Sequence, residues 1–302
     1  MNPILKQLSQ SNILRSIVLA GKREKPVRQF EDLDEFPDVP YTGADGAELA
    51  ADIYRPKQHS EPLPVGIMVH GGGLFAGNRK MNSEFCRILA GRGFLVFNLE
   101  YRLLAQADGL SEIGDVSAGY AFVNETLSEY GGDRKRVTVF AESAGVFLAI
   151  YSAAMTKSPQ LDALIGQPAA DLPIHAAVFV SGMFYTTRPD VIGMLYSRDL
   201  YGDRRTDSGF MRKMDPENSE LIACLPPVLL TTSKADFLKG YPLRYADVLR
   251  SRNHPCLLLY YGGDRELTHG FPTLKPELPQ SADALDKMLD WLAHLPDEEP
   301  QG

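Results

Sequence analysis

"VFAESAGVFLA", residues 139–149, runs from an apolar stretch through a turn of small residues into a second apolar stretch. The first part carries the valine and phenylalanine of a buried strand, and the second has the unbroken apolar character of a buried helix. Ser143 sits where the two meet. Serine is a favoured helix N-cap, because its oxygen accepts an N–H of the first turn. A serine on a sharp strand-to-helix turn is also how the G-x-S-x-G pattern presents a nucleophile. Here Ala141 replaces the first glycine of that pattern and Gly145 keeps the second. The residues that follow the neighbouring strands decide between a cap and a nucleophile.

Upstream, "DVPYTGADGAELAADIYRP" (38–56) predicts a hairpin turning at Gly43 to Gly46. Six short apolar runs then predict buried strands: "PVGIMVH", "RGFLVFNLEY", "RVTVFAES", "IHAAVFVSG", "PPVLLTTS" and "PCLLLYYGG". They are continuous rather than alternating, which suits a parallel sheet covered on both faces. Helical spacing lies between them at 80–92, 112–130, 144–156 and 241–252. It is clearest at 281–295, where Leu285, Met288, Leu289, Leu292 and Leu295 recur. Strands alternating with helices predict an α/β fold with right-handed crossovers. About forty residues between "VFVSG" and "LPPVLLTT" break the rhythm and include Met183, Phe184, Tyr185, Met194, Tyr196, Tyr201, Phe210, Met211 and Met214. The segment 183–220 is expected as an insertion, either a satellite core or a cap lining an apolar pocket. Ile4, Leu8, Ile13, Leu14, Ile17 and Val18 predict amphipathic helix in a segment 1–36, docked on the domain or forming part of a lid.

The chain has 302 residues, 44% apolar and 23% charged, with a net charge of −8, which fits one large α/β domain over 1–302. The run Arg134-Lys135-Arg136 is expected as a solvated turn, and with no long basic tract nucleic-acid binding is not expected. Arg15 and Ser16 interrupt "NILRSIVLAG", and no stretch approaches the ~18 apolar residues of a membrane span, so no membrane partner is expected. Cys86, Cys224 and Cys256 are odd in number and far apart. They offer neither a disulfide framework nor metal-ligand spacing, and a reducing, cytoplasmic compartment is expected. The last residues, "PDEEPQG", have the composition of a disordered tail.

In an open parallel sheet, ligands bind beyond the carboxyl ends of the strands. "HGGGLFAG" (70–77) follows the first parallel strand, Ser143 the third, Asp236 the fifth and His269 the sixth. Each has an ordinary explanation alone: a cap, a loop carboxylate, a surface histidine, a tight turn or a phosphate cradle. Together they supply acyl transfer, in which serine attacks, histidine takes its proton, aspartate holds the imidazole and glycine N–H groups approach an oxyanion.

The motifs "ADIYRP", "HGGGLFAG", "EYRL", "GGDRKRVTVFAESAG", "LPPVLLTTSKADFL" and "THGF" cover most of the chain. In them the chain resembles the α/β-hydrolases of the hormone-sensitive-lipase-like carboxylesterase group, and also the small acetyl and feruloyl esterases that share His-Gly-Gly-Gly. The resemblance implies a mostly parallel sheet flanked by helices, with a small helical cap. It implies Ser143 as nucleophile, Asp236 as orienting acid and His269 as general base. It implies an oxyanion hole from the Ala144 N–H and two of Gly71, Gly72 and Gly73, with His70 bracing the loop. Leu74, Phe184, Tyr185 and Met214 are expected to line the substrate site. The substrate expected is a small-molecule carboxylic ester, with no metal and no cofactor, and a homodimer is left open.

The chain departs from its relatives in three places. Ala141 adds one methyl to the turn. "YRLLAQADG" lacks the proline and acidic residue that often follow Tyr-Arg-Leu. Leu74 stands where relatives acting on carbohydrate or formamide substrates often have tryptophan. An amidase or peptidase with the same triad, and a non-catalytic ligand-binding protein on the same fold, are the alternatives to an esterase.

Overall fold

The computed structural model describes residues 30–60 and 62–296. An eight-stranded sheet organises them: β1 (Leu33–Thr42), β2 (Glu48–Pro56), β3 (Leu63–Val69), β4 (Leu95–Leu99), β5 (Gly132–Glu142), β6 (Ala176–Val180), β7 (Val228–Ser233) and β8 (Cys256–Tyr261). The order across the sheet is β1-β2-β4-β3-β5-β6-β7-β8. β1 pairs antiparallel with β2 and β2 with β4, and the rest are parallel. The helices are α1 (Ser83–Gly91), α2 (Gly109–Thr126), α3 (Ala144–Met155), α4 (Pro159–Ile165), α5 (Val191–Tyr201), α6 (Ser208–Lys213), α7 (Ser219–Ala223), α8 (Gly240–Ser251), α9 (Phe271–Leu274) and α10 (Pro279–Ala293).

Successive strand residues point to opposite faces, and here both faces are core. Val65, Ile67 and Val69 of β3, Val139 and Ala141 of β5, and Val228 and Leu230 of β7 join α2, α3 and α8 in one cluster. Met68, Phe140, Val178 and Leu229 point the other way, against Phe85 and Leu89 of α1 and Leu285 and Met288 of α10. This double burial explains the continuous apolar runs. α3 is the most enclosed helix, with every residue buried.

The hairpin, the six further strands and the five helices lie where the sequence predicts them, within a few residues. Two expectations change. Residues 1–29 of the expected helical segment lie outside the described residues, but Leu33–Phe36 are strand, paired antiparallel with Ile53–Pro56. The ladder hydrogen bonds to β2 outweigh local preference there. Arg134–Arg136 are not a turn but exposed residues near the start of β5. The insertion folds as α5, α6 and α7. Side chains start the three helices: Asp190 accepts from Gly193 N–H, Asp207 from Gly209 and Phe210, and Asn218 from Glu220 and Leu221. Among the described residues no helix is long and apolar enough to cross a membrane.

Candidate active site

Ser143 is the hinge between β5 and α3. Its backbone lies at φ 53°, ψ −118°, a region side chains rarely adopt. Ser143 N–H donates to Val180 O (2.9 Å), and Ser143 O accepts from Met183 N–H (2.9 Å), so the end of neighbouring β6 and the loop after it hold the strained turn. Ser143 occupies the N-cap position of α3, yet its side chain makes no cap hydrogen bond. The hydroxyl turns instead to His269, with Oγ 2.7 Å from Nε2.

His269 follows β8, and its Nδ1 lies 2.7 Å from Asp236 Oδ1. Asp236, past the end of β7, is wholly buried. Its Oδ2 accepts from the Thr232 hydroxyl (2.7 Å) and its Oδ1 from Leu238 N–H (2.8 Å). Burial pushes this carboxyl up, but the bonds from His269, Thr232 and Leu238 outweigh it and hold it below the ordinary aspartate range. An ionised acceptor at Nδ1 keeps the proton there and leaves Nε2 free to take one from Ser143. The loop carrying His269 is tied on both sides of the histidine. Ser233 Oγ donates to Leu267 O, and Gly270 N–H donates to Ser181 Oγ (2.9 Å). The Phe237 ring stands 4.4 Å from the imidazole, centroid to centroid, and is half exposed.

The glycine loop faces this group from the end of β3. Gly72 has φ +112°, and a Cβ there would fall 1.8 Å from Ala76 O, so only glycine fits. His70 does not join the Ser143–His269–Asp236 hydrogen-bonded chain. Its Nδ1 lies 2.7 Å from Gly71 O and its Nε2 2.9 Å from Glu100 Oε1. The ring stacks on Tyr101 at 4.1 Å, and the Tyr101 hydroxyl donates to His70 O (2.9 Å). Arg79 holds Glu100 in turn through Nη1 to Oε2 (3.1 Å). Burial raises the Glu100 carboxyl, and His70 and Arg79 bring it below its ordinary range. His70 therefore braces the loop, as expected.

The expected lining residues separate. Leu74 is buried beside the glycines at φ +64°, and its carbonyl accepts from Leu104 N–H. Phe184 stacks on Tyr245 of α8 at 4.3 Å, and Tyr185 packs edge-on against Tyr241 and donates its hydroxyl to Glu217 (2.9 Å). Both are fully buried in an aromatic cluster with Tyr241 and Tyr245. Met214 is fully buried, and its carbonyl accepts from Tyr151. Tyr196 of α5 comes closer to the site. Its hydroxyl lies 2.9 Å from where a Gly73 Cβ would stand, and its ring packs on Phe75. Glu100, Tyr101, Ser181 and Ser233 escape sequence reading, because spacing gives no sign of contacts made across loops, and Tyr196 is read there only as one of the apolar or aromatic residues of the insertion. Among the described residues no group of three or more His, Cys, Asp or Glu is arranged to hold a metal ion.

The family model BD-FAE matches residues 51–220, more than half of the chain. The sequence is 26% identical over 256 residues to the carboxylesterase NlhH of Mycobacterium tuberculosis, covering 82% of this chain and 79% of that one. It is 26% identical over 234 residues to the probable isoprenylcysteine alpha-carbonyl methylesterase ICME of Oryza sativa subsp. japonica, covering 70% of this chain and 53% of that one. The chain spans about half the length of the isoprenylcysteine methylesterases it matches. Esterase B of Lactobacillus rhamnosis, solved with a tributyrin phosphonate inhibitor, superposes with a TM-score of 0.85 at 22% identity, over 98% of this chain and 96% of that one. The fold is that of the α/β-hydrolases.

Proposed function

The chain belongs to the BD-FAE family, and on that footing we propose that it is a serine carboxylesterase acting on small to medium esters through an acyl-enzyme. One observation carries the proposal: His269 bridges Ser143 and Asp236 with 2.7 Å contacts at its two ring nitrogens. Relatives named carboxylesterase and methylesterase support esters over amides as substrates. Ser143 Oγ attacks the ester carbonyl carbon as its proton passes to His269 Nε2. The carbonyl π pair moves onto oxygen, and N–H groups of Ala144 and two of Gly71, Gly72 and Gly73 receive it. The tetrahedral intermediate collapses, the C–O bond to the alcohol breaks, and the imidazolium gives that alcohol its proton. Water, deprotonated by the same Nε2, then releases the acid and restores Ser143.

Tyr196 and Phe75, beside Leu74, are assigned the wall nearest the reacting carbonyl, with Phe184, Tyr185 and Met214 as the layer behind it. The cap of this single-domain hydrolase is the inserted segment 183–220. The three free cysteines support a reducing, cytoplasmic setting.

The test is a panel of nitrophenyl esters from acetate to laurate, beside acetylated sugars, methyl ferulate and a matched anilide, run with wild type and Ser143→Ala. Wild type should turn over the short esters well ahead of the anilide. Ser143→Ala should lose about 10⁴- to 10⁶-fold while remaining folded. Activity of Ser143→Ala within tenfold of wild type rejects the proposal.

A further inference from the structure

Glu142 immediately precedes Ser143 and takes part in none of the steps above. Its side chain is 2% exposed. Oε1 lies 3.8 Å from His269 Nε2, the ring nitrogen that faces Ser143 Oγ. Oε2 has no hydrogen-bond partner among the described residues. The carboxyl also fills space that side chains at two glycines would need. A Cβ on Gly71 would lie 2.5 Å from Oε2, and one on Gly270 would lie 3.1 Å from Oε1. Gly71 opens the oxyanion loop and Gly270 follows the base. One buried carboxyl is therefore wedged between the two loops that must work together. An apolar or amide side chain of similar volume would make the same wedge without the cost of burying an ionisable group.

We propose that Glu142 is a second carboxylate for His269, stabilising from the Nε2 side the imidazolium that forms when Ser143 attacks. This rests on the reading of Ser143 and His269 as nucleophile and base. As the proton crosses to Nε2 the ring gains a positive charge, and an anion 3.8 Å away in a nearly water-free setting favours it. Asp236 does the same at Nδ1, so the ring is charged between two carboxylates. The charged and titratable groups facing Glu142 are His269 after β8, His70 after β3, Asp236 after β7 and Tyr101 after β4. Burial pushes the Glu142 carboxyl above its ordinary range, the two histidines and then the Gly71 backbone N–H favour its charge, and Asp236 opposes it. Its charge is thus present on the alkaline side and fades as the pH falls.

The experiment is kcat and kcat/KM for nitrophenyl butyrate from pH 5 to 9, for wild type, Glu142→Gln and Glu142→Asp. Glu142→Gln keeps the wedge and removes the charge. It should lower kcat by about tenfold and move the acid limb of kcat/KM down by roughly half a pH unit or more, because the imidazolium loses a counter-charge. Glu142→Asp keeps the charge and vacates the space beside Gly71, so its limb should lie between those of wild type and Glu142→Gln. A carboxyl acting only as a wedge gives the reverse: Glu142→Gln matching wild type in limb and plateau, and Glu142→Asp impaired. That result overturns the proposal. If Glu142→Gln does not fold, Glu142→Leu is held to the same criterion. An inactive wild type, or an active Ser143→Ala, would instead reject the ester-hydrolase reading itself.

Discussion

At Ser143 the backbone and the side chain make one case. A φ of 53° costs on the order of 1–3 kcal/mol and persists only where the surroundings enforce it. The hydroxyl forgoes a cap bond to face an imidazole. The neighbouring small residues set how much the turn tolerates. Ala141 is 1% exposed and lies level with Val69 and Phe179 in the adjacent strands. The closest approach is at Gly145, where a Cβ would stand 2.3 Å from His70 O and 2.5 Å from Val69 O. Ala141→Gly should therefore change kcat less than tenfold, because relief of crowding and added chain entropy nearly offset each other. Ala141→Val should cost about 10²-fold through displacement of the serine oxygen. Gly145→Ala should be worse in both kcat and melting temperature, since backbone carbonyls cannot move aside. These two readouts for the three variants settle the matter. A Gly145→Ala enzyme with wild-type values would mean that the turn is loose and Ser143 unconstrained.

At the scale of elements, the inserted segment divides its work between α5 and the non-helical stretch before it. α5 brings Tyr196 over Gly73, whereas Phe184 and Tyr185 pack into α8. Tyr196→Ala should shift the preferred acyl length and change kcat/KM more than tenfold, with a stability loss of its own because Tyr196 is also buried in the core. Phe184→Ala should leave the chain-length profile in place and cost about 3–5 kcal/mol of stability, the toll of emptying an aromatic core site. The ester panel distinguishes the two while thermal melts read their stability losses, and the opposite assignment would move the pocket wall into the aromatic cluster. The strands, and the candidate site positions beyond their ends, were legible because continuous apolar runs and strand-end residues are local signals. Ser143, Asp236 and His269 each directly follow such a signal or lie a few residues beyond it. Tyr196 was legible only as one of nine apolar or aromatic residues in an insertion, since its role depends on how α5 crosses the glycine loop. Leu33–Phe36 were misread for a similar reason: their structure comes from pairing with β2.

At the scale of the molecule, buried carboxyls make stability depend on pH in opposite senses. Asp236 is held below its ordinary range, so its contribution is present above the unfolded aspartate pKa and lost as the pH falls through the folded value. Glu112 on α2 is fully buried with neither oxygen hydrogen-bonded among the described residues, and burial, then Asp115 and Asp108, push it well above the ordinary glutamate range. Its contribution is present below the unfolded glutamate pKa and lost as the pH rises through the folded value. Glu112→Gln should therefore stabilise the protein at pH 8 by about 1–3 kcal/mol and by much less at pH 4.5, as read from denaturant melts at the two values. An equal effect at both would mean that Glu112 does not hold its proton more tightly when folded. The account as a whole rests on an activated serine, and the most direct measurement is peptide-resolved mass spectrometry after brief exposure to an organophosphonate ester. It predicts one adduct per chain, on Ser143, formed rapidly by wild type and severely slowed in His269→Ala. An unlabelled wild type, an adduct on another residue, or labelling indifferent to His269 would contradict it.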